Sequence, residues 1–167
     1  MEISFKPVGY VVVGVPDVVV KNSYKGVEGY IEILPEYEEA LRGLEGFSHL
    51  IVIAYLHKVR DLERRVLKVK PKKWAKLGIP EYAIPEIGVF ATDSPHRPNP
   101  IAITIVELLA IEGRKLKVRG LDLYNGTPIL DIKPYTFSRR IENIKVPQWY
   151  ARLLEEAKKL NPDLKEL

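Results

Sequence analysis

Alternation is the first feature of the chain. In residues 27–34, Glu28, Tyr30 and Glu32 alternate with Val27, Gly29, Ile31 and Ile33, which predicts a strand with one wet face. Residues 48–57, SHLIVIAYLH, are almost continuously apolar, and that predicts a strand buried on both faces. Shorter alternating or β-branched runs predict further strands at 6–14, 65–70, 87–93, 101–113, 114–123 and 127–135. Gly113 marks a tight reversal, and Asn125-Gly126 within 124–128 is a strong hairpin signal. Two stretches prefer helix. Residues 35–46 open on Pro35 with an acidic first turn and close on glycine. Residues 146–164 place Trp149, Leu153 and Leu160 near one face and stop at Asn161-Pro162. Many short strands and a terminal helix predict a mostly β fold, a small single-domain β-barrel with short helices and a C-terminal helix. Residues 1–140 would form the barrel and 141–167 a helical extension.

Composition narrows the class. With 167 residues, 46% hydrophobic and 29% charged, the chain can bury a core without staples and is not disordered. There is no cysteine, which excludes disulfides, thiolate metal sites and a cysteine nucleophile, and fits a reducing cytoplasm. No basic-then-apolar leader opens the chain and no apolar run reaches about 18 residues, so a soluble cytoplasmic protein is expected, with no membrane partner. The net charge of +4 is unevenly placed. Residues 58–76 carry nine Lys and Arg against Asp61 and Glu63, leaving the remainder mildly acidic. This segment predicts a docking surface for a polyanion, with Lys58, Arg60, Arg64, Arg65, Lys68, Lys70, Lys72 and Lys73 as contacts. The same composition also suits a solvated, lysine-rich face.

Candidate chemistry is sparse. His49, His57 and His96 are scattered without metal-ligand spacing, so no metal site is expected. There is no glycine-rich dinucleotide fingerprint. Asp122 and Asp131 flank the Asn-Gly turn; they suit acid/base work or binding of sugar hydroxyls, or equally a turn cap and an ion pair with Lys133. Tyr135, restrained by Pro134, offers a flat wall for an adenine ring. In residues 93–104, DSPHRPNPIAIT, Arg97 lies between prolines that restrict the loop, so less ordering entropy is lost when it grips an anion. A structural brace is the other reading of Arg97.

The segments GVFATDSPHRPNPIAITIVEL (88–108), GLDLYNGTPILDIKPY (120–135) and ALRGLEGFSHLIVI (40–53) resemble the signature of the TrmO (TsaA/YaeB-like) family over roughly residues 5–137. The resemblance implies a small β-barrel methyltransferase that uses S-adenosyl-L-methionine and acts as a homodimer with cofactor sites near the subunit interface. It implies methylation of N6 of N6-threonylcarbamoyladenosine at position 37 of tRNA, beside the anticodon. The cofactor positions the resemblance assigns are His57, Asp93, Arg97, Asn99, Ile103, Gly120, Leu121, Asp122 and Lys133, and Asp131, Asp122 and Tyr135 are the candidates to receive the released proton. The basic stretch would then track tRNA phosphates. Three departures stand out: Asp93 where the family usually has arginine, Asn125 for the turn aspartate, and VPDVVVKNSYKGVEG (15–29) in place of a P-R-Q-like element. They leave room for a non-enzymatic RNA-binding member, or for a methyltransferase acting on another amine.

Overall fold

The computed structural model describes residues 3–162; residues 1–2 of the expected barrel domain and 163–167 of the expected extension lie outside them. The chain forms two compact units, Met1–Val59 with Pro100–Arg139, and Arg60–Asn99 with Arg140–Leu167.

The first unit is a closed barrel. Its strands are β1 (Gly9–Val12), β2 (Val27–Ile33), β3 (His49–Tyr55), β6 (Ile101–Glu112), β7 (Lys115–Leu121) and β8 (Pro128–Pro134), in the order β1-β2-β7-β6-β3-β8 and back to β1. All pairings are antiparallel. Alternation drives closure: Ile31 and Ile33 of β2, Leu50 and Val52 of β3, and Leu116 and Val118 of β7 all point into the core. Closing the sheet removes every edge that could pair with another chain. A two-residue turn, Gly113-Arg114, joins β6 to β7, as the sequence predicts.

The Asn-Gly segment does something else. It joins β7 to β8, which are not neighbours, so no hairpin forms there. Asn125 Oδ1 instead accepts from Val13 N–H at 3.1 Å, and Gly126 N–H donates to Val11 O at 2.8 Å, fastening the turn to the end of β1. Asp122 and Asp131 therefore do not face each other across a hairpin. Residues 48–57 also depart from expectation. Leu50, Val52 and Ala54 are buried, whereas Ile51, Ile53 and Tyr55 are only half-buried on the outer wall.

Three helices occur among the described residues: α1 (Asp17–Asn22), α2 (Lys72–Lys76) and α3 (Gln148–Leu160). The sequence pattern predicts no element at α1; Pro16 at its N-cap and Asp17 in the first turn set a helix start. The expected helix at 35–46 is a 3₁₀ segment, Pro35–Leu41. Only Leu41 is buried, so packing gives little support to a longer α-helix here.

In the second unit the expected strands 65–70 and 87–93 shrink to a two-stranded ribbon, β4 (Lys68–Val69) and β5 (Ile87–Gly88). Its core gathers Trp74 of α2 with Ile79, Ile84, and Leu153 and Ala157 of α3. Trp74 meets Tyr150 edge-on at 5.1 Å. Leu160, expected on the buried face of α3, is mostly exposed because it ends the helix. Asn161 stops α3, donating from Nδ2 to Leu77 O at 2.8 Å and Ala157 O at 3.1 Å.

Candidate functional site

The outward side chains of the barrel make the first candidate surface. Ile53 of β3 is paired with Ile103 of β6 and with Asp131 of β8; one row along, Ile51 is paired with Ile105 and Lys133. Directly opposed residues of an antiparallel ladder project to the same side, so these rows run across the outer wall, apolar in the middle and charged at one end. Ile103 is 70% exposed and Ile105 51%, a contiguous apolar strip of a kind that marks a binding surface. At its charged end Lys133 Nζ lies 2.5 Å from Asp131 Oδ2, and Asp131 Oδ1 accepts the Ile132 N–H at 2.8 Å. The carboxylate is thus held in one orientation.

Gly120, at the end of β7, borders this wall: a Cβ placed on it would come nearest to Ile105 O, at 3.6 Å. Next to it Leu121 turns its side chain fully into the core, leaving only its backbone for a ligand, and Asp122 is exposed. Tyr135, just past β8, is half-buried and its N–H donates to His49 O at 3.0 Å. His49 is exposed rather than packed, with Nδ1 2.9 Å from Ser48 Oγ.

His57 lies two residues beyond β3. Burial holds its pKa below the usual histidine value; Lys58 adds to this and Asp17 opposes it. The imidazole is therefore neutral at pH 7 and available as an acceptor. Lys58 forms an ion pair with Asp17, and its Nζ sits 5.1 Å from the centre of the Tyr124 ring. Sequence reasoning missed Asp17 and Tyr124 as partners, because nothing in the local pattern joins residues so far apart.

In the second unit the proline loop is braced from within. Arg97 Nη2 donates to Val89 O at 2.8 Å and Thr92 O at 2.9 Å, and Thr92 Oγ1 donates to Val89 O at 2.9 Å. Two guanidinium bonds thus close the loop on the 3₁₀ turn Val89–Ala91. Asp93 and Asn99 are exposed, and neither makes a side-chain hydrogen bond or ion pair among the described residues.

The basic residues are not equivalent. Arg60 is held by Glu63, Arg64 lies 3.7 Å from Asp61, and Lys73 Nζ lies over Trp74 and Tyr150 at 4.8 and 4.7 Å from the ring centres. Lys70 Nζ donates to Glu81 O at 3.4 Å. Arg65, Lys68 and Lys72 are exposed and unpaired among the described residues.

Glu63 accepts from Arg60 N–H at 2.8 Å and from its guanidinium at 2.9 Å, while His96 Nε2 lies 3.6 Å away. The Arg60 guanidinium bond is the chief reason its carboxyl is pulled down to about 2. The folded value lies below the ordinary one, so this clamp contributes fully above about pH 4.5 and is lost as pH falls toward 2. A carbon-detected NMR titration of Glu63 should show a midpoint near 2, moving up to the ordinary carboxylate range in Arg60→Ala. An ordinary midpoint in the unaltered protein would show that the clamp does not form.

Among the described residues no group of His, Asp or Glu is arranged to hold a metal ion, and no helix is long and apolar enough to cross a membrane. An apolar strip ending in a fixed carboxylate and ammonium suits a ligand with a flat apolar part and hydroxyl or charged ends.

Known proteins share this architecture. A probable S-adenosyl-L-methionine-binding protein of Methanothermobacter thermautotrophicus is 43% identical over 140 residues, covering 81% of this chain and 91% of that one. The human tRNA (adenine(37)-N6)-methyltransferase is 42% identical over 98 residues, covering 59% of this chain and 20% of that one. A crystal structure of TrmO superposes with a TM-score of 0.64 at 31% identity, over 87% of this chain and 64% of that one. The chain spans from 26% to 91% of the length of the first curated relatives it matches. The model of the tRNA-methyltransferase O N-terminal domain matches residues 20–139. That span takes in most of the barrel, the Asp131–Lys133 strand and the proline loop, and the chain belongs to this family.

Proposed function

We propose that the protein is an S-adenosyl-L-methionine-dependent methyltransferase acting on N6 of N6-threonylcarbamoyladenosine 37 in tRNA. The observation that carries this reading is the outer wall of the barrel. Ile103, Ile105 and Ile53 offer an apolar bed for an adenine ring, and the half-buried Gly120, which has no side chain, leaves its backbone for the ribose. Asp122, Asp131, Lys133 and the neutral His57 supply the acceptors and donors such a ligand requires. The names of the relatives point to the same cofactor and to adenosine 37 of tRNA.

When bound, S-adenosyl-L-methionine supplies an electrophilic methyl group to the exocyclic nitrogen, and the nitrogen's proton departs. The protein needs no nucleophile of its own. Its contribution is to orient the two reactants and exclude water. The Asp131 carboxylate, aligned by Lys133 and the Ile132 N–H, is the proposed proton acceptor, with Asp122 and Tyr135 as the other candidates. In the second unit, Asp93 and Asn99 are the proposed ligand contacts of the proline loop, and Arg97 holds the loop's shape.

The exposed isoleucines further support a homodimer meeting on this wall, since a strip bearing one carboxylate and one ammonium is self-complementary under a twofold axis. Action on tRNA in a cysteine-free chain fits the cytoplasm.

The test is calorimetry with S-adenosyl-L-methionine followed by transfer of labelled methyl to threonylcarbamoylated tRNA. Cofactor binding with transfer to that RNA is expected, and binding without transfer overturns the substrate. No heat at millimolar cofactor would instead indicate the RNA-binding, non-enzymatic alternative, which the exposed Asp93 favours.

A further inference from the structure

We propose that the second unit carries a stacking surface for unpaired RNA, formed by the exposed face of the β4–β5 ribbon with Tyr82 and Phe90. This inference rests on the reading that the substrate is tRNA, and it assigns a surface that grips unpaired nucleotides of that RNA.

Tyr82 is 88% exposed and Phe90 84%. Two rings so open on one small unit lose apolar burial with no return inside the fold. The ribbon connects them. Lys70 Nζ bonds to Glu81 O, next to Tyr82; Lys68 is paired with Gly88; and Val89 N–H donates to Leu67 O at 3.0 Å, next to Phe90. From Lys70 to Leu67 the strand covers on the order of 10 Å, enough for a few stacked nucleotides.

Opposed residues share a face, so Lys68 rises beside the bare backbone of Gly88. A Cβ on Gly88 would meet nothing nearer than Leu67 O at 3.9 Å, which leaves a shelf where a ribose or base can lie flat. Arg65, Lys68 and Lys72 have no partner among the described residues and remain free for phosphates. Arg97 completes the arrangement by pinning the turn that carries Phe90 through Val89 O and Thr92 O.

Charge selects the occupant. Residues 60–99 hold nine Lys and Arg against five Asp and Glu, so a second copy laid on this face would be repelled and a polyanion attracted. Rings interleaved with unpaired cations bind single strands, because every base has a face to stack and a phosphate to neutralise. A duplex hides the faces of its bases.

The experiment is fluorescence anisotropy of the full chain with three labelled RNAs: an anticodon stem-loop, an unstructured oligouridine and a blunt duplex. Tyr82→Ala/Phe90→Ala should weaken the first two about tenfold or more and leave the duplex nearly unchanged. Gly88→Glu, which has space for its side chain, should weaken all three. Unfolding midpoints and S-adenosyl-L-methionine affinity should be preserved in both variants. If the unaltered protein binds the stem-loop and the ring variant binds it equally well, the stacking surface is wrong and the tRNA reading stands. If the unaltered protein binds no RNA, the tRNA reading itself fails. Loss of self-association or of cofactor affinity in the ring variant would reassign Tyr82 and Phe90 to a subunit contact or to the cofactor, and overturn the proposal.

Discussion

Gly26→Ala should destabilise the barrel by about 2–5 kcal/mol, combining a left-handed backbone penalty with overpacking. Gly26 has φ +71°, and a Cβ there would lie 2.4 Å from Gly120 C and 2.7 Å from Gly120 O. Both obstructing atoms are backbone, so no rotamer change relieves the clash. The two backbone segments must part, and the segment that moves is Gly120–Asp122, the edge of the proposed cofactor wall. Gly43→Ala is the internal control: its φ is +88° but nothing lies within 4 Å of the added methyl, so only the backbone penalty remains. Denaturant midpoints measure the difference, and amide shifts at Gly120–Asp122 report the displacement. Equal losses in the two variants would mean that Gly26 and Gly120 do not touch. Cofactor affinity should fall with Gly26→Ala and not with Gly43→Ala.

The barrel was legible in the sequence because a period of two is a property of each strand alone. Val27–Ile33 and Lys115–Leu121 fold as their alternation requires. Pairing order is not local, and the Asn125-Gly126 signal shows the limit: the turn forms, yet its flanking strands pair with β2 and β6 on one side and β1 and β3 on the other instead of with each other. Residues 48–57 show a second limit. An apolar residue facing a ligand or a partner has the same chemistry as one facing the core, so Ile51 and Ile53 read as doubly buried. In the second unit, packing around Trp74 decided the outcome, and the strand-like runs 65–70 and 87–93 kept only two residues each as strand. Candidate site residues were legible through motif resemblance rather than through physics. Asp17 engages Lys58 from a position far away in sequence, and nothing local to either residue signals that pairing.

Ile103→Asp should abolish measurable cofactor binding, a loss of at least about a hundredfold, while costing the fold on the order of 1 kcal/mol. The two effects separate because Ile103 is 70% exposed in the single chain and contributes little to the core. Its neighbours on the wall are Ile53 and, through Ile53, Asp131. A carboxylate there is well solvated until something apolar covers it. An adenine ring or a second copy laid on the strip would strip its water without offering a partner, and Asp131 would add like-charge repulsion. Ile103→Val keeps the apolar bed and should bind nearly as well as the unaltered chain. Calorimetry reads the cofactor and sedimentation velocity reads the dimer, so the two proposals for this wall are tested on one variant. Loss of both places the cofactor at a subunit contact. Loss of binding alone, with the dimer intact, leaves the cofactor on the wall and moves the subunit contact elsewhere. If Ile103→Asp binds S-adenosyl-L-methionine as the unaltered chain does, the outer wall is not the cofactor site. The charged pair Asp131–Lys133 then becomes an ordinary surface ion pair, with little effect on stability or function.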